Sequence, residues 1–285
     1  MKEVLRKIYY SIISVLPAKL VINIENFRTY RRFLSKDNPQ YFGEKIQWLK
    51  LYGNLEQYSD YVDKYKVRAY IEKKIGAEYL IPLIGAYDDI NEIEYEKLPQ
   101  SFVFKNNNGS AMNLIVKDKN KLDILKTNKK LKKWLKSKYY KIKKEKQYLN
   151  VKNKILCEKY ISDRSGNLLD YKFFCFDGNP VFVKVDFDRY SNHTSNFYNM
   201  NWEKIEMNEQ GYKSYKGKVE KPENFDKMVE IAKILSSDFQ FIRVDLYNVD
   251  GQIYFGELTF TPASGKNSFQ PIEKDLEYAR RIKIG

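Results

Sequence analysis

Two carboxylates near the end of the chain, Asp245 and Glu257, have the chemistry and the spacing of metal ligands. They stand in the runs F-I-R-V-D-L-Y and Q-I-Y-F-G-E-L, on either side of the turn sequence N-V-D-G, which is typical of a β-hairpin. Pairing brings such residues within cross-strand distance, where two negative charges repel unless a cation joins them. Hard oxygen ligands suit Mg²⁺ bound together with substrate phosphates. Two exposed strand acids without a metal are the alternative.

A lysine followed by an amide-rich turn is a second candidate site. The run S-F-V-F-K ends at Lys105 and continues into N-N-N-G-S. Such a turn can fold over a phosphate chain while the lysine contacts it as a point charge. The sequence does not follow the Walker pattern G-x-x-x-x-G-K-[ST], and an ordinary β-turn is the simpler interpretation.

The sequence lacks the residue patterns of nucleophilic catalysis. It has one histidine, His193, and no Ser-His-Asp or Cys-His arrangement. Cys157 and Cys175 fall in apolar runs without a C-x-x-C motif, which predicts buried, reduced thiols and a reducing compartment. The D-F-D sequence from Asp186 to Asp188 fits the D-x-D motif of a metal and nucleotide-sugar site, but this motif is very weak.

The formal net charge of +14 suggests a nucleic-acid partner until its distribution is considered. Residues 126–146 contain eleven lysines and one acid, Glu145. Their apolar residues recur at three- and four-residue steps, which predicts one amphipathic helix with a lysine-covered face. A solvated face and attraction of a polyanion are both open. The preference for lysine over arginine argues against nucleic acid.

Strands and hairpins must position these groups. With 285 residues, 43% of them hydrophobic, the chain is long enough for a globular core. The turn F-D-G-N-P predicts a second hairpin. Helices are predicted over 57–75 and 222–236. Strands are predicted at 79–87, 101–105, 112–116, 155–161, 168–176, 180–187, 241–247 and 252–258. This mixture predicts an α+β protein with largely antiparallel sheets.

The N-terminal segment is predicted to form a helix from about Glu3 to Leu16. Pro17 and Lys19 interrupt its apolar run and no small-residue cleavage site follows, so it is neither a convincing signal peptide nor a spanning helix. Packing against the domain and contact with an anionic membrane surface are both open. We expect a cytoplasmic protein, with the inner face of the membrane as an open alternative.

The order of these runs resembles the ATP-grasp superfamily and, within it, the teichuronopeptide-biosynthesis (TupA-like) family of bacterial surface-polysaccharide clusters. The resemblance covers roughly residues 38–270. It rests on seven motifs in order: N-P-Q-Y-F-G-E-K-I-Q-W-L-K-L-Y, V-D-K-Y-K-V-R-A-Y-I, F-V-F-K-N-N-N-G-S, E-K-Y-I, L-L-D-Y-K-F-F-C-F-D-G, R-V-D-L-Y-N-V-D-G and Y-F-G-E-L-T-F-T-P-A-S-G.

This resemblance implies an ATP-grasp fold, in which two α+β subdomains hold ATP between largely antiparallel sheets. The expected units are a helical N-terminal extension (1–56), the N-terminal part of the ATP-grasp module (57–100), a small ATP-clamping subdomain with the lysine-rich helix (101–161) and a C-terminal subdomain with the metal site (162–285).

The resemblance also implies an ATP site. The residues expected in it are Lys64, Lys105, Asn108, Gly109, Ser110, Glu158, Lys159, Tyr160, Ile161 and Asp170. Lys64 and Lys105 match the basic residues set against the α- and β-phosphates, and the link 106–111 resembles a phosphate-covering loop. The run 158–161 resembles the hinge that meets adenine. Asp170 is the expected acid for the ribose hydroxyls, with Asp163 as its competitor.

Further roles are implied at the reacting end of the nucleotide. The expected Mg²⁺ ligands are Asp245, Glu257 and Thr259, the last standing where many ATP-grasp ligases have asparagine. Arg243, two residues before Asp245 and on the same strand face, matches an arginine that stabilises charge at the acyl centre. Lys172 and Arg189 are candidates for the transferring phosphoryl group, with surface salt bridges as the alternative. Expected substrate contacts are Asp188, Asn192, His193 and Ser264.

The implied reaction joins a carboxylate to an amine with ATP and Mg²⁺, through an acyl phosphate. The expected partners are an anionic sugar or polysaccharide, such as a uronic acid of a capsular or teichuronic-type glycan, and an amine or amino acid; nucleic acid is not expected. The alternative is a glycosyltransferase with a D-x-D site at Asp186 and Asp188, which leaves Lys105 and Glu158 without a role.

Overall fold

The structure, a computed structural model, describes residues 2–163, 168–187 and 193–284, with side chains from residue 8 onward. Its α-helices are α1 (Lys2–Val15), α2 (Ala18–Tyr30), α3 (Phe42–Tyr52), α4 (Ser59–Val62), α5 (Val67–Ile75), α6 (Ile124–Leu135), α7 (Tyr139–Lys143), α8 (Phe225–Ser236) and α9 (Ile272–Ala279). Its strands are β1 (Leu83–Tyr87), β2 (Phe102–Asn106), β3 (Asn113–Val116), β4 (Ile155–Lys159), β5 (Asp170–Phe176), β6 (Asn179–Phe187), β7 (Thr194–Asn199), β8 (Lys204–Ile205), β9 (Asn208–Glu209), β10 (Lys213–Ser214), β11 (Phe241–Val249), β12 (Gln252–Thr259) and β13 (Phe269–Gln270).

The strands form two principal sheets. The smaller sheet has the order β1-β4-β2-β3 and is antiparallel throughout. The larger sheet has the order β10-β7-β6-β5-β11-β12, with β8 beside β7, and only the β10–β7 pair is parallel. The prediction of an α+β protein with largely antiparallel sheets is therefore confirmed.

The larger sheet is buried on both faces. Successive residues of β5 alternate between two cores: Phe173 packs with α8 on one face, and Phe174 packs with α3 and α9 on the other. On the α3 side the far end of the sheet changes from aromatic to charged residues, including Lys172 of β5 and Asp245 of β11, which are direct neighbours in the pairing. The alternation of the strands thus places a charged patch on an otherwise apolar face.

Both predicted hairpins are present. In the β5–β6 turn Asp177 and Gly178 have φ values of 47° and 73°, and in the β11–β12 turn Asp250 and Gly251 have 49° and 91°. Positive φ at both central residues is what a two-residue hairpin turn requires. This turn chemistry explains why the sequence located the hairpins.

Two predicted helices are wrong in extent. The lysine-rich run is not one helix over 126–146, because α6 ends at Leu135 and α7 begins at Tyr139. The side chain of Asn153 donates hydrogen bonds to the carbonyls of Leu135 and Ser137, at 3.0 and 2.9 Å, which satisfies the end of α6 from outside the helix. The helix predicted over 57–75 is likewise divided into α4 and α5, after a 3₁₀ turn at Leu55–Tyr58.

The N-terminal helix was predicted correctly and packs beside α7. The Lys144 ammonium donates a hydrogen bond to the carbonyl of Ser14 at 3.4 Å. Among the residues that the structure describes, every helix is too short or too polar to cross a bilayer.

Candidate functional site

A cleft of about 490 Å³, including its open mouth, lies between the smaller sheet and β12 of the larger one. Four of its lining side chains were predicted as site residues, namely Lys64, Lys105, Glu158 and Glu257. They come from sequence positions almost 200 residues apart. The fold therefore brings together lysines suited to phosphates and a carboxylate suited to a metal.

The predicted metal ligands converge on one cation at the edge of this cleft. Nη2 of Arg243 lies 2.7 Å from Oδ2 of Asp245 and 3.1 Å from both Oε1 of Glu257 and Oγ1 of Thr259. Three oxygens around a positively charged nitrogen form a donor set that fits Mg²⁺, whose remaining ligands would come from phosphate oxygens and water. Within the described ranges no group of three or more His, Cys, Asp and Glu side chains could hold a metal.

A β-bulge positions Glu257. The register pairs Asp245 with Glu257 and then Leu246 with Phe255, so Gly256 is the extra residue. A Cβ at Gly256 would lie 3.0 Å from the carbonyl oxygen of Asp245. The bulge shifts the alternation of β12, so that Phe255 and Leu258 both reach the core while Glu257 points away from it.

The electrostatics of this group are dominated by burial. The pKa of Asp245 is raised to about 6, chiefly by burial; Arg243 opposes the rise and the Glu257 carboxylate adds to it. Burial disfavours the charged form of Arg243, but Asp245 and Glu257 outweigh it and raise the pKa of the guanidinium. Asp245 is thus a buried carboxylate that depends on a nearby cation to remain ionised.

The second lysine and the hinge acid form an ion pair in the cleft. Nζ of Lys105 lies 2.5 Å from Oε2 of Glu158, and Nη1 of Arg68 lies 3.8 Å from the other oxygen. The remaining hinge residues follow along the end of β4. Lys159 donates its backbone N–H to the carbonyl of Pro82 at 2.9 Å, the Tyr160 ring lies 5.9 Å from Nζ of Lys117, and Ile161 is half-buried.

Lys64 holds the predicted phosphate loop, residues 106–111. Its ammonium donates to the carbonyl of Gly109 at 2.5 Å, and its backbone N–H donates to the carbonyl of Asn107 at 3.2 Å. Burial lowers the pKa of Lys64, and the Glu257 carboxylate partly offsets this effect. The lysine therefore contacts the loop at a position from which a bound phosphate would be its stronger partner.

Three asparagines fix the base of this loop from inside the protein. Their side-chain amides donate to Trp134 O (Asn106, 2.8 Å), Asp63 Oδ1 and Lys152 O (Asn107, 2.9 and 3.0 Å) and Val151 O (Asn108, 2.9 Å). The Asn108 side chain was predicted to contact ATP, but its amide group donates a hydrogen bond to the protein backbone. At the tip, Ser110 and Ala111 remain exposed, whereas Gly109, at φ 89°, is buried.

The tip is covered by a residue that the sequence did not single out. The hydroxyls of Tyr139 and Ser110 lie 2.9 Å apart, and a Cβ at Gly109 would lie 2.4 Å from the Tyr139 ring. The same tyrosine interacts with the buried carboxyl of Glu145, which also faces the hydroxyls of Thr261 and Ser264. The sequence could have indicated a role for Glu145, since it is the one acid of the lysine-rich run.

Ser264, a predicted substrate contact, lies in a turn held by α3. Nζ of Lys50, a buried residue of α3, donates to the Ser264 carbonyl at 3.2 Å and to its hydroxyl at 3.1 Å. Ala263 and Ser264 have φ values of 48° and 57°, so the turn is strained, as is common beside functional sites. The Ser264 side chain is buried, and its observed partners are protein groups.

Lys172 lies beside the metal-ligand group in a buried ion network. It neighbours Asp245 across the β5–β11 pairing, contacts Asp186, and lies 3.3 Å from Asp170. Asp170, predicted to meet ribose, is thus a buried partner of Lys172. Burial and these ion pairs hold Lys172 in place, which suits a lysine near a phosphoryl group.

Asp186, the first acid of the alternative D-x-D site, belongs to the same ion network. Asp186 also lies 3.2 Å from Nζ of Lys184 and 3.1 Å from Nε2 of His193. Burial alone would raise the pKa of Asp186, but Lys172 and Lys184 outweigh it and lower the pKa. The other residues predicted in this stretch, Asp188, Arg189 and Asn192, lie outside the described residues. His193 is half-buried, with its ring edge-on to Tyr212 at 4.9 Å.

Residues 44–283 match the family model described as TupA-like ATPgrasp. The chain belongs to the TupA-like ATP-grasp family. Its fold is accordingly the ATP-grasp fold, as the sequence motifs implied. A search of curated proteins finds no match.

Solved structures similar to this TupA-like chain are ATP-grasp and related ligases. D-alanine–D-alanine ligase from Bacillus anthracis complexed with ATP is 16% identical (TM-score 0.43; 77% of this chain and 60% of that chain). The corresponding ligase from Helicobacter pylori is 14% identical (TM-score 0.44; 87% and 70%). Phosphoribosylamine–glycine ligase from Thermotoga maritima is 14% identical (TM-score 0.46; 76% and 55%). The chain thus spans less than two thirds of the Bacillus anthracis ligase.

Proposed function

We propose that the protein is an ATP-dependent carboxylate–amine ligase that forms an amide through an acyl phosphate. The observation that carries the proposal is the convergence of Lys64, Lys105, Glu158 and Glu257 in one cleft, with Asp245 and Thr259 joined to Glu257 through Arg243. Lysines and carboxylates in this arrangement serve phosphoryl transfer, in which the protein chiefly positions and neutralises charge.

Each group of site residues has its own role in the proposed reaction. Lys64 and Lys105 bind the phosphate chain, and the loop tip at Gly109 and Ser110 covers it. Mg²⁺ held by Asp245, Glu257 and Thr259 would neutralise charge on the phosphates when bound. A substrate carboxylate oxygen attacks the γ-phosphorus and ADP leaves. The amine nitrogen then attacks the acyl carbon, which releases phosphate, and Arg243 is placed to stabilise the tetrahedral oxyanion.

The proposed acceptor is a uronic acid of a surface polysaccharide, and the co-substrate is an amine or amino acid. The lysines of α6 support an anionic acceptor. Leu131 and Trp134 lie on the buried side of this helix, so its lysines lie on the outer side. ATP supply favours a cytoplasmic location for the reaction.

The proposal is tested by following ADP release from Mg-ATP with a panel of uronates and amines. We expect release that requires both co-substrates and falls by roughly a hundredfold or more in Glu257→Gln. The matched control is Glu230→Gln, on the exposed side of α8. Release of UDP from a UDP-sugar without any need for ATP would instead identify a glycosyltransferase and refute the proposal.

A further inference from the structure

Helix α2 exposes an apolar stripe. Leu20, Ile24 and Phe27 follow helical i, i+4, i+7 spacing and all three are exposed, Leu20 by 47%. Phe33, 68% exposed, lies with its ring 5.4 Å from that of Phe27 and extends the stripe past the end of the helix. The buried residues of α2 are Val21, Ile22, Glu25 and Asn26, so the apolar stripe lies on the side of the helix that faces outward.

Helix α1 repeats the pattern. Ile8, Ile12 and Val15 have the same spacing and are exposed, Val15 by 80%, while Ile13 is buried. Nine of the seventeen exposed large apolar side chains in the described part of the chain lie between Ile8 and Phe33. This concentration distinguishes the segment from the scattered apolar residues of an ordinary surface. We call these residues the N-terminal apolar surface.

The exposed charge around this surface is mostly positive. Lys19, Arg28, Arg31 and Lys36 are exposed, and the sole acid between residues 8 and 36 is Glu25. Glu25 is buried, where it lies 3.7 Å from Nζ of Lys50 and also pairs with Lys266. The next acid along the chain, Asp37, is exposed, so the surface combines apolar side chains with an excess of positive charge.

We propose that the N-terminal apolar surface docks on an anionic lipid bilayer. Apolar side chains enter the boundary between headgroups and acyl chains while lysines and arginines meet anionic headgroups, as in amphipathic helices that lie in the membrane plane. A second copy of the chain is a poorer occupant. A two-fold interface would bring the same cations against each other, with fewer exposed acids than cations between residues 8 and 37 to pair them.

Docking would place the turn that contains Ser264 near the membrane. On its inward side α2 contacts the end of that turn, where Thr29 Oγ1 donates to the carbonyl of Lys266 at 3.0 Å; it also contacts α3, where Tyr30 Oη accepts the backbone N–H of Gly43 at 2.9 Å. One helix diameter, about 10 Å, then separates the turn from the lipid. This consequence rests on the proposed function, whereas the docking itself does not.

The test is co-sedimentation of the full chain with mixed phosphatidylcholine–phosphatidylglycerol vesicles and with pure phosphatidylcholine vesicles, at low and high salt. We expect binding to the anionic vesicles that weakens at high salt. The triple variant Leu20→Ser, Ile24→Ser, Phe27→Ser should bind roughly tenfold or more weakly. Thermal unfolding of the variant shows whether the fold is retained, since these side chains are exposed.

The matched control is Ile124→Ser, Leu125→Ser, Leu149→Ser, which removes three exposed apolar side chains beside the lysines of α6. It should bind as the parent does. No binding to anionic vesicles, or equal losses in both triple variants, would refute the proposal. So would a parent dimer that the first variant converts to a monomer, because a second copy would then cover the surface. Failure of ADP release would affect only the proposed function.

Discussion

Arg243 and Asp245, two residues apart on β11, form a bidentate ion pair in which both nitrogen–oxygen distances are 2.7 Å. The guanidinium thereby supplies the positive charge that a buried aspartate needs. Because the same Nη2 also contacts Glu257 and Thr259, it stands where the predicted Mg²⁺ would bind. A metal at this site must share these oxygens with Arg243 or displace it.

Arg243→Gln should therefore make the protein depend on magnesium for stability. Without the guanidinium, Asp245 is a buried charge lacking its partner, which should cost about 3 kcal/mol of the free energy of unfolding. Added Mg²⁺ should raise the free energy of unfolding more in Arg243→Gln than in the parent protein. Thermal unfolding with and without Mg²⁺ measures both effects, and the control is Arg68→Gln, which alters a contact with Glu158 and a hydrogen bond to the Ile81 carbonyl. Equal magnesium effects in all three proteins would contradict the prediction.

Gly109→Ala should impair nucleotide binding. The new Cβ would meet the Tyr139 ring at 2.4 Å and push the loop tip away from its cover. The matched control is Gly211→Ala, because Gly211 has nearly the same φ, 90° against 89°, but no atom within 4 Å. Backbone strain is thus equal in the two variants.

We expect the KM for ATP to rise by roughly tenfold in Gly109→Ala and to stay within about twofold in Gly211→Ala. Adding Tyr139→Ala to the Gly109→Ala protein should restore part of the loss, because the steric conflict is removed. Similar defects in both glycine variants would show that backbone strain, not the tyrosine, is responsible.

Glu145 should tolerate glutamine but not leucine. Burial raises the pKa of Glu145, and its carboxyl faces the hydroxyls of Tyr139, Thr261 and Ser264. Glutamine keeps hydrogen-bonding atoms in place, whereas leucine removes the acceptor that these hydroxyls share, at a cost of about 1–3 kcal/mol. Urea unfolding measures this cost, and Glu56→Gln, at a surface pair with Lys146, is the control.

The same pair of variants separates positioning from mere stability. Glu145 contacts both Tyr139, which covers the tip of the phosphate loop, and the turn that contains Ser264. Glu145→Leu should therefore lower kcat for ADP release more than it raises the KM for ATP. If both parameters are unchanged in folded Glu145→Leu, the carboxyl has no positioning role.

Lys50 should give the protein a distinctive alkaline stability profile. Burial lowers the pKa of Lys50 from 10.5 to about 8, while Glu25 opposes the change. Between these values the unfolded chain binds more protons than the folded protein, so the free energy of unfolding rises with pH, by about 3 kcal/mol across the window. Below pH 8 this contribution is absent.

Lys50→Met should remove that rise, and Lys266 still pairs with Glu25 in the variant. Urea unfolding of both proteins from pH 7 to pH 10 provides the comparison. A constant difference in the free energy of unfolding between parent and variant across this range would show that Lys50 titrates as an ordinary exposed lysine.

The sequence predicted the elements whose signals are local. Asp-Gly turns and strand alternation located the β11–β12 hairpin, and with it the approach of Asp245 to Glu257. The division of the lysine-rich run was not predictable in this way, because the group that ends α6, Asn153, lies 18 residues beyond Leu135. Nor was the role of Arg243 as the cation between the acids, since alternation gives a strand face and not a side-chain partner.

The asparagines at positions 106–108 have a thermodynamic consequence. Because their side chains already fix the base of the phosphate loop, a bound nucleotide has to immobilise little more than the stretch from Gly109 to Ala111. Each residue fixed beforehand spares roughly 1–2 kcal/mol of conformational entropy at the moment of binding. A single glycine is then sufficient for the flexibility of the loop, since only three residues have to move when the nucleotide binds.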